Sequence, residues 1–153
     1  MMISKLIRNS YQEANICYKT GSYLACCVMC RTALEALLKL LGNVAFGNAF
    51  TPIGKNLSEL VNGVGCRVFG SKERDAMMII YYNGNQGAHP DKILNRQDAN
   101  RSMQSLEILI RKYQQIRTES EKRESVFDIN IRKQSSQRRG PHQVVQVNIL
   151  KMG

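Results

Sequence analysis

The sequence predicts a mainly α protein: an antiparallel bundle of about five helices with a C-terminal β-hairpin. Apolar residues recur at steps of three and four up to residue 118, and at steps of two beyond it. Gly, Pro and capping residues separate the helical stretches. At 153 residues, the chain is long enough for one buried core. We therefore expect a helical domain over residues 1–118 and a charged linker with a hairpin over residues 119–153.

The first two helices are marked by residues that start and stop helices. Helix one is predicted to run from Ser4 to Lys19 and to stop at Gly21. Helix two should start after Ser22, a good N-cap, and end at Gly42. Because helix two is apolar on most of its surface, it is expected at the centre of the bundle.

Three further helices are predicted between residues 51 and 118. Thr51 followed by Pro52 has the pattern of a helix start. Ser71 should cap a fourth helix that breaks at residues 83–85, and Asn95 should cap the fifth and longest helix. The apolar stripes of helices two, four and five predict these core residues: Leu34, Leu38, Met77, Ile80, Leu106 and Ile110.

The C-terminal segment has a different period. Apolar and polar residues alternate over residues 127–131 and again over 145–149, which is typical of two strands with one apolar face. A polar stretch with Gly140 and Pro141 lies between them. A lone hairpin is marginal in water, so it should dock on the helices or add to the sheet of a partner. The alternative is a disordered tail.

The charge of the chain favours an anionic partner. Its 22 Lys and Arg against 12 Asp and Glu give a net charge of +10, and nucleic acid is the first candidate partner. The alternative is a well-solvated basic protein with no such partner. Our candidates for phosphate contacts are Arg111 and Lys112 on helix five, with Arg138 and Arg139 at the hairpin tip.

The cysteines and charges argue against a secreted, membrane or metal protein. Five cysteines and an N-terminal stretch without an apolar signal region predict a cytoplasmic location. Residues 24–41 are strongly apolar but carry Arg31, Glu35 and Lys39, so they predict a core helix and no membrane span. Cys27 and Cys30 lack a second ligand pair, so we expect no metal. No cofactor motif is present, so we expect no cofactor.

The segment 81–90, Y-Y-N-G-N-Q-G-A-H-P, is the strongest candidate for a functional site. It interrupts an apolar run with glycines, asparagines and His89, where polar side chains would line a cleft. Histidine accepts and donates protons near neutral pH, which suits a general acid or base. The alternative is a structural histidine that caps a helix end.

Two motifs give a family resemblance. The R-x-x-L-E pattern at Arg31 and the G-N-x-x-x-H-P pattern at Gly84 together resemble the uncharacterised bacterial family domain of unknown function 4145, over roughly residues 10–116. That family is similar to the HEPN superfamily of helical domains. The resemblance implies a HEPN-like antiparallel bundle, frequent homodimers, and a link to RNA or to antiphage and toxin systems.

Many HEPN relatives are metal-independent ribonucleases, and the resemblance transfers their motif only in part. The motif places four to six residues between an Arg and a His. His89 matches the histidine and Asn85 a polar position inside the motif, but Tyr82, Asn83 and Gly84 stand where the arginine belongs. Arg31 on helix two is the alternative cation, with Glu35 to orient it.

Three functions therefore remain open. The first is a non-catalytic HEPN-like binding module, a homodimer that engages RNA or a protein partner in a bacterial defence or toxin–antitoxin setting. The second is a metal-independent endoribonuclease with His89, Asn85, Arg31 and Glu35 as its site. The third is a structural assembly subunit that acts through its C-terminal hairpin.

Overall fold

Helices account for nearly all of the chain that the computed structural model describes, namely residues 4–86, 89 and 93–137. The six α-helices of this part are α1 (Lys5–Lys19), α2 (Tyr23–Phe46), α3 (Leu57–Leu60), α4 (Cys66–Val68), α5 (Ser71–Gln86) and α6 (Arg96–Gln137). A 3₁₀ turn at Gly47–Ala49 follows α2, and a π-helical turn at Val61–Gly65 joins α3 to α4. The chain divides into two units, residues 1–116 and 117–153. The predicted helical bundle is confirmed.

Helix α2 is the centre of the first unit because most of its surface is apolar. Its leucines Leu34, Leu37, Leu38 and Leu41 have no exposed surface, and both α1 and α5 pack against it. Each fully buried side chain of this kind stabilises the fold by about 1.5–3 kcal/mol relative to an exposed one. Of the predicted core residues, these are confirmed as buried: Leu34, Leu38, Met77, Ile80 and Leu106. Ile110 is half-buried at the edge of the core.

Two helix boundaries differ from the prediction because neighbouring residues cap better. Helix α2 continues through Gly42, which is buried, and ends at Gly47, whose φ of 55° suits glycine. Helix α3 begins after Asn56 rather than at Thr51. There the backbone N–H of Glu59 donates to Asn56 Oδ1 at 2.9 Å, and the N–H of Asn56 donates to Glu59 Oε2 at 3.0 Å. This reciprocal capping box satisfies two N–H groups at the helix start.

The predicted cap of α6 is confirmed. The N–H of Asp98 donates to Asn95 Oδ1 at 2.9 Å, and the N–H of Asn95 donates to Asp98 Oδ2 at 3.0 Å. The same reciprocal arrangement therefore starts the longest helix of the described chain.

The predicted C-terminal β-hairpin is wrong. Residues 127–131 are helical and belong to α6, and the part of the chain described by the structure contains no strand. No Gly or Pro stands between Arg96 and Gln137 to stop the helix, and the Glu, Lys and Arg residues after position 118 are good helix formers. Local helix propensity therefore prevails over a two-residue alternation that spans only five positions. The second predicted strand, 145–149, lies outside the described residues.

Helix α5 also differs from its prediction, since it runs through Asn83, Gly84 and Asn85 instead of breaking there. The buried Asn83 side chain explains why this polar stretch is stable. Its Nδ2 donates to the Asp98 carbonyl at 3.2 Å and to Ser102 Oγ at 3.1 Å, both on α6. Ser102 Oγ donates in turn to Cys27 Sγ on α2 at 3.7 Å. One polar chain thus links α5, α6 and α2 inside the core.

No helix among the described residues is long and apolar enough to cross a membrane. Arg31, Glu35 and Lys39 interrupt the most apolar helix, α2.

The Asn83→Ala variant should unfold more easily than the wild type. It removes both donor bonds to α6 and leaves their buried acceptors without that partner, which costs about 1–3 kcal/mol. The free energy of unfolding from urea titration measures this cost. Asn9→Ala, at an exposed position of α1, is the matched control and should change stability by less than about 0.5 kcal/mol. Equal losses in the two variants would contradict the role of Asn83.

Candidate functional site

A contact between α2 and α5 forms the candidate site. Arg31 Nε on α2 donates a hydrogen bond to Asn85 Oδ1 on α5 at 3.0 Å. The bond is partly buried, and the two residues are 54 positions apart in the chain. Only Nε is used, so among the described residues the two terminal nitrogens of Arg31 have no hydrogen-bond or ion-pair partner. We call Arg31 with Asn85 the α2–α5 site.

Gly84 allows the arginine to lie this close to α5. A Cβ atom at Gly84 would stand 2.5 Å from Arg31 Cβ and 2.8 Å from Arg31 Cδ. Both distances are too short for carbon atoms, so only glycine leaves room for the aliphatic part of Arg31. Gly84 is itself buried. The adjacent Asn85 then fixes the guanidinium through its amide oxygen.

Glu35 does not orient Arg31, in contrast to the sequence-based hypothesis. Its Oε1 accepts from Lys39 Nζ at 3.2 Å, one helical turn further along α2. Glu35 and Lys39 therefore neutralise each other at a partly exposed position, where such a pair contributes little to stability. Asn85 takes the orienting role, and as a neutral amide it leaves the positive charge of Arg31 uncompensated.

His89 follows three residues after the end of α5. Its backbone N–H donates to the Gln86 carbonyl at 2.9 Å, and the residue is exposed. Its imidazole makes no hydrogen bond or ion pair with any described residue, so it is available to solvent. The structure thus brings together Arg31 and Asn85, two of the four predicted site residues, and places His89 four positions after Asn85.

Tyr82 is a site neighbour that the sequence did not reveal. The apolar run that precedes Asn83 predicts burial, yet Tyr82 is 59 % exposed and Met78 is 45 % exposed. Helical spacing places both on the side of α5 that carries Asn85. In the sequence, the spacing of three to four residues between Met78, Tyr82 and Asn85 could have indicated that they share one side of the helix.

Of the two candidate phosphate contacts on α6, Arg111 lies on an exposed polar face of the helix and Lys112 does not. Arg111 is exposed and Lys112 is half-buried. Arg101, Gln104, Arg111 and Gln115 are all exposed, and their spacing puts them on one side of the helix. We call these four residues the α6 face; its two arginines stand about 15 Å apart at 1.5 Å per residue. Arg138 and Arg139 lie outside the described residues.

The cysteine cluster of α2 is buried. Cys26, Cys27 and Cys30 have no exposed surface. Burial raises the pKa of Cys27 to about 11, so its thiol stays protonated at neutral pH. Within the described ranges, no group of three or more His, Cys, Asp and Glu side chains is placed to hold a metal ion. These thiols act as small core residues there.

The fold and the site define a class of helical bundle with a polar seam between its second and fifth helices. The chain belongs to the family described as Domain of unknown function (DUF4145), whose model matches residues 12–134. The match covers Arg31, Asn85 and His89 and extends through most of α6. No curated protein and no solved structure matches the chain.

The Gly84→Ala variant should destabilise the protein, because the new methyl group overlaps the Arg31 side chain. The expected cost is about 1–3 kcal/mol, typical of overpacking. Gly63→Ala is the matched control, since a Cβ there meets nothing within 4 Å; it should be neutral or stabilising by up to about 1 kcal/mol. Melting temperatures of the three proteins measure the difference. A Gly84→Ala protein as stable as Gly63→Ala would show that Arg31 does not pack on Gly84.

Proposed function

We propose that this chain is a non-catalytic binding module that engages RNA through the phosphate backbone. The observation that carries the proposal is the α2–α5 site. Its guanidinium is fixed through Nε by a neutral amide, and its terminal nitrogens have no partner among the described residues. A pre-oriented guanidinium with free donors suits a phosphate group, whose two oxygens accept two parallel N–H bonds.

The charge of the whole chain supports an anionic polymer as the partner. A net charge of +10 raises the local concentration of nucleic acid around the protein. The α6 face adds two exposed arginines flanked by neutral glutamines, and glutamine amides also bond to phosphates and sugars. The family resemblance to HEPN domains adds the biological setting, a homodimer in bacterial defence or in a toxin–antitoxin pair.

An assembly role through a C-terminal hairpin is not proposed, because the residues predicted to form the first strand of that hairpin belong to helix α6.

Binding of single-stranded RNA should depend on Arg31 more than on total charge. Arg31→Ala is expected to weaken binding by about tenfold, because a hydrogen bond to a charged group contributes about 1.5–3 kcal/mol. Arg74→Ala removes the same charge from an exposed position of α5 and should weaken binding by less than about threefold. Fluorescence polarisation of a labelled RNA at several salt concentrations measures both.

Affinity for RNA should also fall steeply as salt rises, because each neutralised phosphate releases counterions. Arg31→Ala is expected to reduce the slope of that dependence by about one phosphate contact. Equal effects of Arg31→Ala and Arg74→Ala on RNA affinity would show that binding depends on the total charge alone. No binding at low salt would contradict the proposed function itself.

A metal-independent ribonuclease is the second candidate, and the position of Arg31 favours it. The Arg31–Asn85 bond places a cation from α2 beside the end of α5. Asn85 stands four residues before His89 in the sequence. In that reaction His89 takes the 2′-hydroxyl proton and the 2′-oxygen attacks phosphorus. The P–O5′ bond breaks, and the 5′-oxygen leaves as a hydroxyl with a proton from water, which leaves a 2′,3′-cyclic phosphate. Arg31 would stabilise the charge that develops on the phosphoryl oxygens.

We expect no such activity, because no arginine stands at the HEPN motif spacing before His89. The test is cleavage of a labelled single-stranded RNA in excess chelator by wild type, His89→Ala and Arg31→Ala. The binding-module account predicts the same background rate in all three. Cleavage that persists in chelator and disappears in both folded variants would instead establish the ribonuclease.

A further inference from the structure

A groove of about 430 Å³ lies outside the α2–α5 site, in the segment that connects α2 to α5. One contiguous stretch of chain, residues 46–67, provides its lining. The residues that shape its chemistry are Phe46, Phe50, Lys55, Glu59, Val64 and Arg67. Its volume falls within the range of about 300–1,000 Å³ that small-molecule sites occupy.

Two aromatic residues belong to the groove lining. The rings of Phe46 and Phe50 have centroids 6.5 Å apart and planes inclined by 41°. Phe50 is held against α2 because Gly42 has no side chain there; a Cβ at Gly42 would stand 2.5 Å from the Phe50 ring. Val64, 1 % exposed, adds a fixed apolar surface. An aromatic ring of a ligand would therefore pack on apolar side chains that already hold their positions.

The groove lining also contains two cationic residues. Lys55 and Arg67 are exposed, and neither side chain has an ion-pair or hydrogen-bond partner among the described residues. The Glu59 carboxylate is engaged through Oε2 with the N–H of Asn56 at 3.0 Å. Two cations against one engaged carboxylate leave the groove with a net positive charge.

We infer that this groove binds a small aromatic anion, a planar ring that carries one phosphate or carboxylate group. The ring would pack on Phe46 and Phe50, and the anionic group would bind Lys55 and Arg67. The two halves of the ligand match the two kinds of lining residue, aromatic and cationic. Phosphate and carboxylate share the required chemistry, so the test includes both.

The probe is 1-naphthyl phosphate, whose fluorescence anisotropy reports binding directly because the chain has no Trp. We expect saturable binding of 1-naphthyl phosphate. 1-Naphthol and inorganic phosphate should each bind at least about tenfold more weakly than 1-naphthyl phosphate, since each lacks one half of the ligand. 1-Naphthoate in the same titration distinguishes a carboxylate from a phosphate ligand. The Phe50→Leu variant should have a lower affinity for 1-naphthyl phosphate and an unchanged affinity for inorganic phosphate.

The double variant Lys55→Ala, Arg67→Ala should bind 1-naphthyl phosphate about tenfold more weakly. Its matched control is Lys72→Ala, Arg74→Ala, which removes the same charge from exposed positions of α5 outside the groove and should bind as the wild type does. The proposal is overturned if no probe saturates, if 1-naphthol binds as tightly as 1-naphthyl phosphate, or if the control pair weakens binding equally.

Discussion

Three consecutive residues of α5 connect this helix to α6 and α2 and create the candidate site. Asn83 bonds into α6, Gly84 admits Arg31 of α2, and Asn85 fixes the guanidinium of that arginine. Each needs a different side-chain property: a buried double donor, no side chain, and a neutral acceptor. The three therefore cannot be exchanged, and the packing of the helices and the orientation of Arg31 depend on the same turn.

The electrostatics of α2 follow from this arrangement. Glu35 and Lys39 compensate each other on the helix surface, whereas Arg31 is held by an amide and keeps its charge. A carboxylate partner would have neutralised that charge and weakened the attraction of Arg31 for an anionic ligand. The aliphatic part of Arg31 is packed on Gly84, so much of the conformational entropy of a long side chain is lost on folding. Under the proposed function, an incoming phosphate would meet a cation that is already oriented.

The sequence predicts the helical bundle well, because its apolar stripes are long. It predicts the Asn95 cap and two of the four fully buried leucines of α2, Leu34 and Leu38. It misplaces the hairpin, since a five-residue alternation carries less information than an uninterrupted run of helix formers. It also mistakes Asn83, Gly84 and Asn85 for a helix break, because their contacts are long-range and no local pattern reveals them. The partnership of Arg31 with Asn85 depends on how α2 and α5 pack, so the sequence offers Arg31 as a candidate but assigns it the wrong partner, Glu35.

The central claim is that Asn85 holds Arg31 for an anionic ligand. Nitrogen NMR of the arginine side chains tests it most directly, because the Nε–H of each arginine is observed separately. The structure predicts slow solvent exchange of the Arg31 Nε–H and faster exchange in Asn85→Ala. The proposed function predicts a shift of the Arg31 terminal nitrogens when single-stranded RNA is added. An Arg31 Nε–H that exchanges as fast as that of exposed Arg74, and that RNA leaves unshifted, would contradict the claim.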